Sequence, residues 1–110
     1  MKRVYAKSVS HRAETIKELG ADHEFAAEYL RAALLELDDP NNRAAGLRAL
    51  RDIAEAYGGI ASVAAEAGIT REYLYRALSP GGNPTLKTLL AIMRAVGMRL
   101  SAEPARPSHA

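Results

Sequence analysis

The stretch AAEAGITREYLYRAL, residues 64–78, leaves the chain few ways to fold. Small and apolar residues run at helical spacing from Ile60 to Ala67, Gly68 stops them, and Thr70 opens a second run two residues later. Two helices that cross at roughly 90–120° through a turn of three or four residues need a small side chain where their axes come closest, and Ala64 is placed for that role. The reversal itself favours positive φ, which Gly68 adopts without a Cβ clash. Ile69 and Leu74 then tie the second helix to the first, and Thr70 is positioned to cap its opening turn. A helical wheel of residues 71–78 gathers Leu74, Ala77 and Leu78 on one side. It leaves Glu72, Tyr75 and Arg76 on the other, with Arg71 at the edge. The spacing predicts a helix-turn-helix with an outer face suited to duplex DNA: arginine bonds guanine bidentately, tyrosine reaches a phosphate or packs on a thymine methyl, and glutamate accepts from cytosine.

An ordinary helical hairpin has the same spacing, so the flanking elements decide between the two. HEFAAEYLRAALLEL, residues 23–37, places Phe25, Ala26, Tyr29, Leu30, Ala33, Leu34 and Leu37 on one helical face, with Asp22 as N-cap. DDPNN, residues 38–42, is a turn and the clearest internal boundary. RAAGLRALRDIAEAYGG follows with Leu47, Leu50, Ile53, Ala54 and Tyr57 on one face and Gly58-Gly59 as its stop. SPGGNP, residues 79–84, is a loop. Thr85 then caps a last helix whose predicted buried stripe is Leu86, Leu89, Leu90, Met93 and Val96. RVYAKSVS (3–10) and MRLSAE (98–103) alternate as strands do, and the chain from Pro104 onward reads as a disordered tail. The fold class is therefore all-α: a helical bundle containing a helix-turn-helix, with an N-terminal helical extension and a short C-terminal strand. Residues 1–40 form the extension, 41–103 the DNA-binding domain and 104–110 the tail.

Charge is unevenly distributed. Residues 1–12 carry +4, residues 13–40 carry −6 through eight acids against Lys17 and Arg31, and the rest carries +4. An acidic segment beside a basic half fits two different partners, although a solvated helix face explains the acids equally well. The absence of cysteine excludes a disulfide scaffold and a thiolate metal site. No apolar run reaches the roughly 20 residues of a membrane span, and the N-terminus lacks a signal-peptide h-region, so a cytoplasmic protein without membrane association is expected. His11, His23 and His109 are scattered, and no HExxH, nucleophile elbow or phosphate loop is present. Asp38-Asp39 reads as a polar turn in preference to a metal pair, and Gly81-Gly82 as a helix linker in preference to an anion nest. The expectation is a binding protein without cofactor or metal, not an enzyme.

A helix before the corner and a capped helix after it form the compact bundle that encloses the helix-turn-helix of Cro and CI-type repressors, which the chain resembles from about Arg43 to Ser101. Through EFAAEYLRAALLEL, ALRDIAEAYGGI and ITREYLYRALSPGGNPTLKTLLAIMRAVGMRLS it also resembles the addiction-module antidote family, the HigA-like antitoxins, over roughly residues 14–103. The resemblance implies autorepression of transcription in a type II toxin-antitoxin module and neutralisation of a RelE-like toxin. One departure stands out. Cro and CI-type domains commonly open the first helix of the motif with a phosphate-binding Gln, where this chain has Ile60. The DNA-contacting set is therefore Thr70, Arg71, Glu72, Tyr75 and Arg76, with phosphate contacts passing to Ser62, Thr70, Lys87 or backbone amides. The expected partners are double-stranded operator DNA read by a homodimer, and the toxin. Two other readings fit the residues: a solitary helix-turn-helix regulator without a toxin, and an interaction module that has lost DNA binding. A small basic RelE-like protein in the neighbouring reading frame would separate antitoxin from solitary regulator.

Overall fold

The structure, a computed structural model, describes residues 2–105, with side-chain detail from residue 11 onward. It is all-helical: α1 (Lys2–Ala21), α2 (His23–Leu37), α3 (Arg43–Ala56), α4 (Ile60–Ala67), α5 (Arg71–Ala77) and α6 (Leu86–Ala95) follow one another, with no strand among the described residues. None of these helices is long and apolar enough to cross a membrane.

Each predicted cap forms, at Asp22, Thr70 and Thr85. Asp22 has extended backbone and accepts from the amides of Glu24 and Phe25, both at 3.1 Å, so a single residue turns the chain from α1 into α2. Asp39 closes the DDPNN turn, accepting from the Asn41 amide at 3.0 Å and from Asn42 Nδ2 at 2.9 Å. Its carboxylate is thus used locally. The apolar faces of α2 and α3 pack on each other, and one continuous core runs from Leu19 of α1 through Leu30, Leu50 and Ile53 to Val63, Leu74, Ile92 and Val96. The core is shared across Pro40, so α1 and α2 pack into the same body as the corner.

Two polar ties reinforce that continuity, and neither was visible as a sequence pattern. Asp52, buried on α3, accepts from Arg12 Nε of α1 at 3.0 Å and from Tyr29 Oη of α2 at 3.1 Å. A carboxylate removed from water needs such partners, and these two bind three helices at one point. His23 Nε2 donates to the Val96 carbonyl at 3.1 Å, joining the start of α2 to the end of α6. Burial, and then the charge and hydrogen bond of Asp52, push the Tyr29 hydroxyl up to about 12.

Three expectations are corrected. Residues 3–10 belong to α1 and not to a strand. Arg12, Ile16 and Leu19 recur at helical spacing towards the body of the protein, and a helix nucleated there extends at little cost, whereas a lone strand has no ladder partner. Residues 98–103 also lack a ladder and have no regular structure: Met98 packs against the core while Leu100 stays exposed. On α6 the buried stripe is Thr88, Ala91, Ile92, Met93 and, just past the helix, Val96. Leu86 and Leu90 are exposed, at 62% and 37% of their surface. LKTLLAIMRA is apolar around most of its circumference, so two stripes compete and packing against α4 selects one. Of the predicted tail, residues 106–110 lie outside the described residues.

Candidate nucleic-acid interface

The geometry of the site begins at Gly68. With φ +72° it ends α4 in the left-handed region, and the amides of Gly68 and Ile69 bond back to the carbonyls of Ala65 (3.2 Å) and Ala64 (3.0 Å). This is the paired-bond C-terminal motif that glycine permits. A Cβ at Gly68 would meet nothing within 4 Å, so conformation and not space demands glycine here. Ala64 is buried between the helices, as the crossing requires.

Thr70 takes extended backbone and its Oγ1 accepts from the Tyr73 amide at 3.0 Å. The hydroxyl proton remains available to donate outward. α5 has only seven residues and is held by Leu74 and Ala77, with Leu78 as its C-cap, all buried. Its far end is fixed by the loop. Ser79 Oγ donates to the Tyr75 carbonyl at 2.7 Å, and the Gly82 amide donates to the Ser79 carbonyl at 2.7 Å. Gly82 lies so close to the carbonyls of Arg76 and Ala77 that a Cβ there would collide with them. The two ends of α5 therefore need glycine for different reasons, positive φ before it and lack of space after it.

Arg71, Glu72, Tyr75 and Arg76 are all exposed and line one shallow concavity, as the wheel predicted. Glu72 falls in the first turn and Arg76 in the last, each at the end whose helix dipole favours its charge. Among the described residues the salt bridges are Arg12–Asp52 and Arg31–Glu28, so neither Arg71 nor Arg76 is tied to an acid there. Ser62 and Lys87 are exposed on α4 and α6 but do not line this concavity.

Sequence reading passed over a second group. Tyr75 also borders a neighbouring groove lined by Arg12, Arg48, Arg51, Glu55 and Ile60. Arg48, Arg51 and Glu55 stand three and four residues apart on α3, and that stripe was readable as the polar counterpart of Leu47 and Leu50. Arg51 Nε is buried without a hydrogen-bond partner among the described residues.

A protein of Haemophilus influenzae described only as "Uncharacterized protein" is 37% identical over 86 residues, which cover 78% of this chain and 88% of that one. No solved structure matches. The family described as "Probable addiction module antidote protein" matches residues 11–104, which take in most of α1, all of α2 to α6, the corner and the loop after it. By that match the chain belongs to the addiction-module antidote family.

Proposed function

We propose that the chain is the antitoxin of a type II toxin-antitoxin module, a cytoplasmic DNA-binding repressor that uses α4 and α5 as a helix-turn-helix and also neutralises a RelE-like toxin. The observation that carries the DNA-binding reading is the outer face of α5. Arg71, Glu72, Tyr75 and Arg76 are exposed together on a helix whose opposite side is locked into the core. Such a face presents the guanidinium, carboxylate and phenol groups that can bond base edges and phosphates in the major groove. It acts by binding, with no catalytic step assigned to any residue. One seven-residue helix spans few base pairs, so a homodimer reads a near-palindromic operator through half-sites about one helical turn apart. Leu100 and the pair Leu86 and Leu90 are exposed apolar residues available for the two-fold contact.

Toxin contact falls to the acidic segment, residues 13–40, where Glu14, Glu18, Asp22, Glu24, Glu28 and Asp38 are exposed. Charge complementarity with a basic, RNA-handling toxin would speed encounter.

Fluorescence anisotropy on the DNA upstream of the chain's own reading frame tests the reading. Arg71→Ala with Arg76→Ala should weaken binding by about 1–3 kcal/mol for each base that an arginine no longer reaches, and a double variant that binds like the parent would sink it.

A further inference from the structure

We propose that the groove between α1, α3 and the start of α4 is a phosphate clamp, in which Arg48 and Arg51 grip the backbone of duplex DNA while α5 lies against the bases. The proposal rests on the DNA-binding reading and supplies what that reading lacks. The Ile60 side chain offers no polar group to a phosphate, and neither Ser62 nor Lys87 lines the concavity of α5 or the groove beside it.

Continuity is the first support. Tyr75 belongs to both concavities, so a duplex seated on Arg71 and Arg76 meets the groove at its next wall. Charge is the second. The groove is lined by Arg12, Arg48 and Arg51 with Glu55 as the acid in its wall, and Asp52 beneath is already paired with Arg12 at 2.9 Å. Arg48 and Arg51 are thus the cations left to face solvent, against one carboxylate. The third is guanidinium chemistry: Arg51 is half-buried with its Nε closed to solvent, so it is the remainder of the guanidinium that the groove can offer to a phosphate. The planar donor fork suits phosphate oxygens better than a lysine would. A clamp of this kind positions the protein without reading sequence.

The full-length chain is titrated by anisotropy against two duplexes of equal length, one from upstream of its reading frame and one scrambled, over a series of salt concentrations. Arg48→Gln with Arg51→Gln should weaken both duplexes by the same factor and lower the slope of log affinity against log salt by about 3.6 for a dimer, since each of its four lost phosphate contacts contributes roughly 0.9. Arg71→Ala with Arg76→Ala should weaken the upstream duplex more than the scrambled one. If the Arg48/Arg51 variant keeps the parent's affinity and slope while the Arg71/Arg76 variant loses binding, the clamp is wrong and the DNA reading stands. If the parent binds neither duplex at low salt, both are wrong. Because Arg51 is half-buried, circular dichroism is run on each variant, and Arg48→Gln alone, on an exposed residue, serves if the double variant unfolds. Its slope should fall by about 1.8 for a dimer, two contacts at roughly 0.9 each, and a slope equal to the parent's overturns the clamp.

Discussion

The α2–α3 pair and the α4–α5 corner bury their inner side chains almost equally well, yet they are held by different means. Leu30, Leu47 and Leu50 on one side and Val63, Leu74 and Leu78 on the other are all at most 3% exposed. The first pair has 15 and 14 residues, the second 8 and 7. Isolated helices shorter than about 12–15 residues are marginal in water, so α5 cannot set its own position. It is placed by its ends: the glycine reversal and threonine cap before it, the Ser79–Gly82 loop after it. The α2–α3 pair rests on long apolar stripes, with Asp52 as a polar rivet to α1. The element proposed to read DNA is the one that depends most on its surroundings.

Leu74→Ala against Leu50→Ala tests this contrast most severely. Each should cost about 2–5 kcal/mol, the usual range for a buried leucine, as read by thermal unfolding. On cooling to where both variants are folded, Leu50→Ala should regain DNA affinity while Leu74→Ala, whose α5 has lost its anchor, should not. Equal recovery would break the comparison.

Overpacking probes the crossing itself. Ala64→Leu should cost about 1–3 kcal/mol and lower melting temperature and DNA affinity together; a loss of affinity at full stability would move the crossing point elsewhere. The two glycines sharpen the same point. Gly82→Ala, which collides with backbone, should cost about 1–3 kcal/mol. Gly68→Ala, which meets open space but an unfavourable φ, should cost about 1–2 kcal/mol. The reverse order, measured by denaturant unfolding, would show that the loop yields more readily than the corner.

The smallest effect concerns the rivet. Tyr29 has its hydroxyl raised from about 10 in an unfolded chain to about 12 in the fold, first by burial and then by Asp52. The unfolded chain ionises first, so this contribution is complete below pH 10 and is lost as the pH rises towards 12. Tyr29→Phe should lower the melting temperature slightly at neutral pH, through one hydrogen bond of about 0.5–1.5 kcal/mol, and the gap to the parent should close between pH 10 and 12. A gap that stays constant would mean that Tyr29 is not perturbed by its neighbours.

Sequence by itself determined whatever depends on near neighbours along the chain. Asp22, Thr70 and Thr85 announced their caps because an N-cap bonds only two or three residues ahead, and Gly68 announced its φ because few other residues tolerate it. The outer face of α5 was legible for the same reason, since a helix this short, with Leu74 and Ala77 turned inward, has little freedom in what points outward. Tertiary structure alone decided what spans long separations. Arg12, Tyr29 and Asp52 meet across up to 40 residues, and nothing local to any of them foretells it. The choice between two apolar stripes on α6, the helical fate of residues 3–10 and the gathering of Arg48 and Arg51 beside Tyr75 were likewise settled by packing. Local hydrogen bonds select among a few backbone states at fixed spacing, whereas which faces meet depends on how every helix competes for one core.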